Sequence, residues 1–442
     1  MNPHFRRLAR PTHDAPAKPR CWSGFACGLA LLFAAPLHAA TIQANGTGFT
    51  QNGGPYRAIG VNYYDAFLRH LRDADDTTFA AGLQDLGDAG IPFARFNAGG
   101  FRTNDWTLYQ NDPDEYFTRM DRVFDAAHAS GVQLIPTVFW RFEFIADANG
   151  ETPDAWNDND SATRAFARRY ADDVVARYHD HPALLMWEFG NEFNLFQDLP
   201  EAANRPADQL ITSDAVRAAV AEFTGIVRTY DETVAVTTGH SVARAAAQTL
   251  RDTGDFGRDT AAQFAQVTAD DHADVDTISV HAYYHAFIGR DRADVELPSV
   301  RFDQDLSDDT PGAGYLDVLH ELVAISEAEQ KPLFFGEFGV PDDYASPVPG
   351  TDENPDSVED QFRFVLDALV NAQVPLSAIW VYDRDPQFGN GYNLRFDNDR
   401  ADQLDALVDA NRRLTRVIPE PNATPSVGAA LVFFTRRYRP RD

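Results

Sequence analysis

The chain has 442 residues, 44% of them hydrophobic, which is enough apolar material for one large core. Acidic residues outnumber basic ones by 67 to 38, so the net charge of −29 disfavours nucleic acid or an anionic membrane surface as a partner. Cysteine occurs only at Cys21 and Cys27, which excludes a disulfide framework or a cysteine-ligated metal from the rest of the chain.

The first forty residues have the layout of a secretory signal peptide. Five basic residues precede an apolar run from Gly24 to Pro36, and small residues follow at Ala39 and Ala40, near which we expect cleavage. The run is short for a membrane span, which favours export over permanent anchoring. The domain expected to fold is therefore residues 41–418.

A segment rich in glycine and asparagine, Thr41 to Tyr56, follows the leader and predicts a hairpin that closes the bottom of the fold. From the first main strand, Arg57–Asn62, a strand, a loop, an amphipathic helix and a tight turn alternate along the chain. The further predicted strands are Pro92–Phe96, Gln133–Phe139, Leu184–Phe189, Thr233–Thr237, Thr277–His281, Leu333–Phe335 and Ser377–Val381. The predicted helices are Thr77–Ala89, Glu115–Ala129, Ser161–Tyr178, Ser213–Tyr230, Ala261–Thr268, Gly314–Glu329, Ser357–Ala372 and Ala401–Asn411.

Eight strand–helix units are the number in a (β/α)₈ TIM barrel, so we predict an α/β fold of this type as a single domain. Loop lengths favour it, because the helix-to-strand turn Ala89–Ile91 is short whereas the strand-to-helix loops Phe193–Thr212 and Ala282–Ala313 are long. In a barrel such long loops share the face that carries active sites. The alternative, a doubly wound sheet, would place a glycine-rich phosphate loop after an early strand, and Gly60–Tyr63 is not one.

Two apolar strands deliver a glutamate to that face. The fourth strand runs into Gly-Asn-Glu at Glu192, and the seventh carries Glu337 in Phe-Gly-Glu-Phe-Gly. Cleavage of a glycosidic bond with retention requires two carboxyl groups about 5–5.5 Å apart, one to protonate the departing oxygen and one to attack the anomeric carbon. We therefore expect a glycosidase site, and the alternative is that each carboxylate only caps a following loop or helix.

The motifs around both glutamates resemble glycoside hydrolase family five, the cellulase and mannanase family of retaining barrels. The matching segments, in order over most of residues 57–400, are Trp187–Glu192, His281–Tyr283, Gly336–Gly339 and Trp380. The resemblance implies that Glu192 is the acid/base and Glu337 the nucleophile. It also implies that Asn191 hydrogen-bonds the sugar 2-hydroxyl, a contact that strengthens in the transition state.

Three polar residues are expected to support these carboxylates. Arg95 ends the second strand and is expected to lower the pKa of Glu337 and keep it ionised, with a surface ion pair as the alternative. Tyr283 is expected to donate its hydroxyl to Glu337. His281 is expected to complete the polar floor of the site, with a satisfied core histidine as the alternative.

Tryptophans are expected to bind the sugar rings. Trp380 offers a flat apolar face for the sugar between the carboxylates, with barrel core as the alternative, and Trp140 and Trp106 are expected at further sugar positions. Mannanases of the family also end the third strand on a tryptophan, as Trp140 does here, which favours mannan over glucan. The residue after the Asn-Glu pair is Phe193 instead of the family's proline, so both substrates stay open.

The expected function is therefore that of a secreted β-glycoside hydrolase acting on a β-1,4-linked polysaccharide, as an endo-mannanase or a related glucanase. No metal or other cofactor is expected, because the histidines lack the paired spacing of a zinc site. An exo-acting β-glycosidase is one alternative, since Ala282–Ala313 is long enough to block one end of a cleft. A carbohydrate-binding barrel without turnover is the other.

The C-terminal segment 419–442 resembles the Pro-Glu-Pro sorting tail that exosortases recognise in Gram-negative bacteria. Pro419-Glu420-Pro421 precedes a short apolar stretch, Val427–Phe434, and four arginines. The resemblance implies transient membrane and exosortase contact followed by removal of the tail. The alternative is a frayed, exposed C-terminus.

Overall fold

The computed structural model describes residues 40–200, 206–283, 315–341, 357–384 and 391–416. The expected signal peptide, apart from Ala40, and the expected sorting tail lie outside these residues, as does most of the loop 282–313. These expectations therefore stay predictions. Among the helices that the structure describes, none is both long and apolar enough to span a membrane.

In the described part of the chain, eight parallel strands form the predicted barrel. They are β4 (Ala58–Asn62), β5 (Phe93–Asn97), β6 (Gln133–Phe139), β7 (Trp187–Gly190), β8 (Val236–Thr237), β9 (Ile278–His281), β10 (Leu333–Phe338) and β11 (Leu376–Ile379). Their order follows the chain, with β11 pairing β4, and a parallel bridge from Thr237 to Thr277 joins β8 to the start of β9. The (β/α)₈ prediction is confirmed.

A three-stranded antiparallel sheet closes the bottom of this barrel. It consists of β1 (Gln43–Asn45), β2 (Gly48–Gln51) and β3 (Gly54–Tyr56), one strand more than the hairpin that the sequence predicts. Ile42 fixes it to the barrel, because its N–H donates to Leu185 O at 2.9 Å and its carbonyl accepts from the N–H of Ala235 at 2.8 Å. The side chain of Ile42 is buried among apolar residues of the strands and plugs this end of the barrel.

Helices surround the barrel, and each of the longer ones buries one apolar face. They are α1 (Ala66–Arg72), α2 (Thr78–Ala89), α3 (Thr107–Asn111), α4 (Pro113–Ser130), α5 (Phe142–Ala148), α6 (Ala162–Tyr178), α7 (Ser213–Tyr230), α8 (Ala247–Thr253), α9 (Ala261–Asp271), α10 (Tyr315–Glu329), α11 (Val358–Asn371) and α12 (Ala401–Arg416). The short helices α1, α3, α5 and α8 were not predicted, because they lie inside segments that the sequence pattern assigns to loops.

The tight turns at the bottom follow from local sequence, as α4 illustrates. Asp112 caps its start by accepting the N–H of Glu115 at 3.1 Å, and Pro113 occupies the first turn, where no N–H is needed. Gly131 ends the helix in the left-handed region at φ 71°. The chain then turns directly into β6, so the short connections stay at the bottom and the long ones at the opposite, upper face.

The observed strands β7 and β8 are shorter than the predicted fourth and fifth strands, because some backbone groups of the predicted strands have other partners. Leu185, inside the predicted fourth strand, uses its carbonyl to hold Ile42. In the predicted fifth strand, the side chain of Asp231 accepts the N–H groups of Thr233 and Val234, so this segment forms a turn. The apolar pattern indicates burial correctly but not which backbone groups pair.

Candidate active site

Glu192 lies directly beyond β7, at the upper end of the fourth barrel strand. Its backbone is in the left-handed region at φ 56°, and its N–H donates to Gly239 O at 2.8 Å, beyond the neighbouring strand β8. A non-glycine residue in this region costs free energy and persists only where its surroundings hold it. Its side chain is 27% exposed and faces the cavity at the upper face.

Glu337 lies inside β10 and is held more tightly. Arg95 Nη1 donates to Glu337 Oε1 at 2.8 Å, and the Tyr283 hydroxyl donates to Oε2 at 2.5 Å. The Glu337 side chain is only 7% exposed. Gly336 precedes it because a Cβ there would come within 2.8 Å of the ring nitrogen Nε2 of His281. The glycine of the Phe-Gly-Glu motif thus makes room for that ring.

His281 brings the two carboxylates together. Its Nδ1 lies 3.0 Å from Glu192 Oε1 and 3.5 Å from Glu337 Oε1. One oxygen of each carboxylate and one nitrogen of this ring lie within 4.8 Å of one another. Burial lowers the pKa of His281 to about 4, so the ring is neutral near neutral pH. A separation this short corresponds to the close carboxyl pair of retaining glycosidases and not to the wider inverting arrangement.

Arg95 is the hub of the site and is fully buried. Among the described residues, its guanidinium donates to Glu188 Oε1 at 2.7 Å and, at 2.8 Å each, to oxygens of Asn62, Asn191 and Glu337. Its charge lies 4.7 Å from the ring centre of Trp140, a cation–π contact. Because Asn191 uses its oxygen here, its amide nitrogen is directed away from the guanidinium.

Burial dominates the electrostatics of both carboxyl groups. It raises the pKa of Glu192 above its usual value, while the charge of Arg95 and the hydroxyl of Ser241 oppose that effect. Burial also raises the pKa of Glu337, against the charge of Arg95 and the hydroxyl of Tyr283. The expectation that Arg95 keeps the pKa of Glu337 low is therefore only half right, because desolvation outweighs the guanidinium.

Aromatic side chains form one wall of the cavity above the carboxylates. The ring centres of Trp140 and Trp380 lie 6.1 Å apart with their planes inclined by 29°, and Tyr64 packs against both at 5.7 and 5.4 Å. These three rings line a cavity of about 260 Å³ together with Glu192 and Glu337. Flat apolar rings beside polar donors and acceptors are the usual lining of a small-molecule site.

Glu192, His281 and Glu337 are also close enough to share a metal ion, the one such group among the described residues. Arg95 already contacts Glu337, however, and a second cation beside the guanidinium would be repelled. The donor set therefore suits acid–base and nucleophilic chemistry of carboxyl groups better than metal ligation.

Comparison with known proteins gives distant relatives of one kind. The chain is 27% identical over 174 residues to mannan endo-1,4-beta-mannosidase A of Podospora anserina, which covers 35% of this chain and 45% of the relative. It is 25% identical over 234 residues to mannan endo-1,4-beta-mannosidase F of Aspergillus clavatus, covering 51% of this chain and 45% of the relative. The chain thus spans less than half the length of these relatives. No family model matches it.

Solved structures share the fold across most of the chain. The endo-1,4-beta-mannanase of Rhizomucor miehei superposes with a TM-score of 0.59 at 16% identity, over 85% of this chain and 99% of that one. A glycoside hydrolase family 5 mannosidase from the same organism gives 0.55 at 15% identity, over 85% and 99%. At 15–16% identity, these likenesses show that the chain shares the barrel fold of both structures.

The structure brings the residues singled out from the sequence together at the upper face of the barrel. They are Arg95, Trp140, Asn191, Glu192, His281, Tyr283, Glu337 and Trp380. Trp106 is the exception, and its expected place at a sugar position is wrong. Its ring is fully buried and packs edge-to-face on Phe166 and Tyr170, because it fills the space beside Gly99 and Gly100.

Sequence reasoning missed several members of the site. Glu188 and Asn62 hold Arg95, and Tyr64 completes the aromatic wall. Ser241 lies beside Glu192, and Asn194 fixes it through bonds of 2.8 and 3.0 Å to its backbone. A signal for Glu188 was available, since a carboxylate inside an apolar strand requires a buried partner. The sequence carries no comparable signal for Ser241.

Proposed function

We propose that the chain is a retaining β-glycoside hydrolase that cleaves β-1,4-linked mannan by double displacement. The observation that supports this most directly is the close approach of Glu192 and Glu337, whose carboxylate oxygens lie within 4.8 Å at the ends of the fourth and seventh strands. That gap leaves no room for a water molecule between Glu337 and an anomeric carbon held beside it. The residue nearest that carbon must then be the nucleophile itself.

In the first step Glu337 attacks the anomeric carbon and Glu192 protonates the departing glycosidic oxygen. Glu337 suits attack because Arg95 and Tyr283 hold both of its oxygens and favour its ionised form. Glu192 suits proton donation because burial raises its pKa, while its partial exposure lets it exchange protons with water. The first step requires Glu337 to be ionised and Glu192 to be protonated.

In the second step Glu192, now ionised, takes a proton from a water molecule that enters where the leaving group departed. That water attacks the anomeric carbon and releases Glu337 from the covalent glycosyl–enzyme. The neutral ring of His281, in the tautomer that carries its proton on Nδ1, can donate to the ionised form of Glu192 at 3.0 Å. Asn191, oriented by Arg95, would bind the sugar 2-hydroxyl through its amide nitrogen.

Mannan is the preferred substrate on two grounds. The relatives in the comparison are mannan endo-1,4-beta-mannosidases, and Trp140 ends the third strand beside Trp380 in the sugar cavity. Glucan stays the second choice, since Phe193 follows the Asn-Glu pair. Such a polysaccharide is too large to enter a cell intact. Export through the expected signal peptide is therefore part of the proposal, as is contact of the expected tail with the membrane.

Hydrolysis tested on β-mannan, β-glucan, xylan and aryl β-glycosides decides the function. The proposal predicts release of manno-oligosaccharides with a rapid fall in viscosity, and no release by the Glu337→Ala variant. Release of single mannose units without a fall in viscosity would favour the exo-acting alternative. Binding of mannan without any hydrolysis by the parent protein would favour a carbohydrate-binding barrel and contradict the proposal.

A further inference from the structure

Glu188 is a third buried carboxylate below the candidate catalytic pair. Its side chain is completely inaccessible, and Oε1 accepts Arg95 Nε at 2.7 Å and the Thr137 hydroxyl at 2.5 Å. Its second oxygen, Oε2, has no hydrogen-bond partner among the described residues. A buried carboxylate is costly unless it is paired. Arg95 is therefore the group that makes a charge on Glu188 tolerable.

The backbone around Glu188 is shaped to admit this carboxylate. Gly239 lies against it at φ 71°, and a Cβ at that position would come within 2.7 Å of the Glu188 carboxyl carbon and 1.8 Å of Gly190 O. A side chain at position 239 would therefore displace the carboxylate. Since Glu192 donates its N–H to Gly239 O, the same glycine also fixes the turn that carries Glu192.

Arg95 stands between two carboxylates that have different tasks. Its Nε faces Glu188, and its Nη1 faces Glu337 at 2.8 Å. Without Glu188 the buried guanidinium would no longer share its charge between two carboxylates, and Glu337, the expected nucleophile, would be left as its counter-ion. A carboxylate that alone balances a buried cation is more strongly stabilised, and that stabilisation must be given up as its charge is lost during attack.

Building on the proposed retaining mechanism, we propose that Glu188 is a positioning residue. It holds the Arg95 guanidinium in hydrogen-bonding position against Glu337 and Asn191 and balances the charge of the guanidinium, so that Glu337 stays nucleophilic. Glu188 touches no substrate and acts through Arg95 alone.

The groups that set the ionisation of Glu337 can be named from each strand around it. Arg95 faces it from β5, Glu192 from the turn after β7, and His281 and Tyr283 from the end of β9, while Glu188 on β7 contacts Arg95. Among these, Glu188 can be changed without touching the space where a sugar would bind, because it lies under Arg95. Substitution of Glu188 therefore tests how the charge balance around the Arg95 guanidinium affects Glu337.

The deciding experiment compares Glu188→Gln and Glu188→Asp with the parent on mannan across pH. Gln keeps an oxygen for Arg95 but removes the charge, so we expect the acidic limb of kcat to move to lower pH. We also expect kcat to fall about 10–100-fold, as for outer partners of metal ligands, with KM within about twofold. Asp keeps the charge but retracts the carboxylate by one methylene. It should lower kcat and leave the acidic limb in place.

A matched control is Asp271→Asn, which neutralises another buried carboxylate. Asp271 pairs with Arg251 at 2.7 Å and with Gln197 at 2.8 Å, away from the catalytic pair. Its neutralisation should leave the acidic limb unchanged. If the acidic limb of kcat does not move in Glu188→Gln, the proposed charge balance is wrong. If Glu188→Asp has the kcat of the parent, the positioning role is overturned. This measurement decides the question even if the Gln variant does not fold.

A readout without turnover separates this inference from the proposed function. Titration of the ¹³C-labelled carboxyl of Glu337, assigned through Glu337→Gln, should show a lower pKa in Glu188→Gln than in the parent. If the parent cleaves no β-glycan, the proposed function fails, and the titration still tests whether Glu188 balances Arg95. If the parent is active and the pKa of Glu337 is unchanged, only the inference about Glu188 fails.

Discussion

The two carboxylates of the site lie within 4.8 Å of each other but in very different surroundings. Glu337 is part of β10, is 7% exposed and receives donors from Arg95 and Tyr283. Glu192 lies on a left-handed turn beyond β7, is 27% exposed and has His281 as its close partner. Burial raises the pKa of both groups, so the contrast lies in their partners and exposure: a fixed carboxylate with a donor on each oxygen suits a nucleophile, and a partly solvated one suits a proton carrier.

The largest effect is expected at the fixed carboxylate. Glu337→Ala should lower mannan hydrolysis by about 10⁴-fold or more, the range seen when a hydrolase loses its nucleophile. Azide should partly restore turnover of an activated glycoside and give a glycosyl azide of inverted configuration. Normal folding should be checked by circular dichroism. Activity of Glu337→Ala near that of the parent, without azide, would remove Glu337 from the mechanism.

Glu192→Ala should have a smaller and substrate-dependent effect. Loss of a general acid costs about 10²–10⁴-fold on natural glycans, whose leaving group needs the proton. An aryl glycoside with a good leaving group needs none in the first step, so that step should be nearly unaffected. The measurement is the ratio of kcat/KM for the two substrate types. Equal losses on both would mean that Glu192 is not the acid.

Removing the cation should make the environment of Glu337 more like that of Glu192. In Arg95→Ala the pKa of Glu337 should rise, because burial then acts unopposed by the guanidinium, so the acidic limb of the rate profile moves to higher pH. Loss of one partner from a buried ion pair also destabilises by about 3–5 kcal/mol. The pH profile and thermal unfolding are measured together.

The matched control for that variant is Arg164→Ala. Arg164 is equally buried and pairs with Glu222 at 2.7 Å, outside the site. The Arg164→Ala variant should lose stability, and the acidic limb of its rate profile should stay at the pH of the parent. If Arg95→Ala behaves in the same way, Arg95 serves structure alone.

The smallest effect is expected at the partner of the exposed carboxylate. The hydroxyl of Ser241 acts to lower the pKa of Glu192, so Ser241→Ala should raise it and shift the basic limb to higher pH. One hydrogen bond corresponds to about a tenfold change in rate or less. Because Glu337 is not in contact with this residue, the acidic limb should stay. A shift of that limb would show that the two carboxyl groups cannot be treated separately.

The same contrast explains how far the sequence could predict this site. Glu337 and its partners stand on or just beyond regular strands, and strand ends of a barrel share one face, so Arg95, His281 and Tyr283 were predictable as neighbours. The approach of Glu192 to Ser241 depends on a turn whose left-handed backbone is held by Gly239 O, and no sequence pattern encodes that contact. Ser241 was missed for this reason.

Burial also limits what sequence reasoning can reach. Trp106 and Trp140 both follow a barrel strand in the chain, but Trp106 fills a space left by two glycines, while Trp140 packs on Arg95 and Trp380. Residue type alone does not separate the two. Likewise, the opposing effects of desolvation and Arg95 on Glu337 depend on a depth that only the folded barrel defines.

The stereochemistry of the first product tests the central claim most directly. If Glu337 attacks the anomeric carbon and Glu192 then admits water from the vacated side, two inversions give net retention. Proton NMR of a fresh digest of manno-oligosaccharide should show the β-anomer first, with the α-anomer growing in only through mutarotation. An initial α-anomer would mean an inverting enzyme, and it would contradict the assignment of Glu337 as nucleophile and of Glu192 as its acid/base partner.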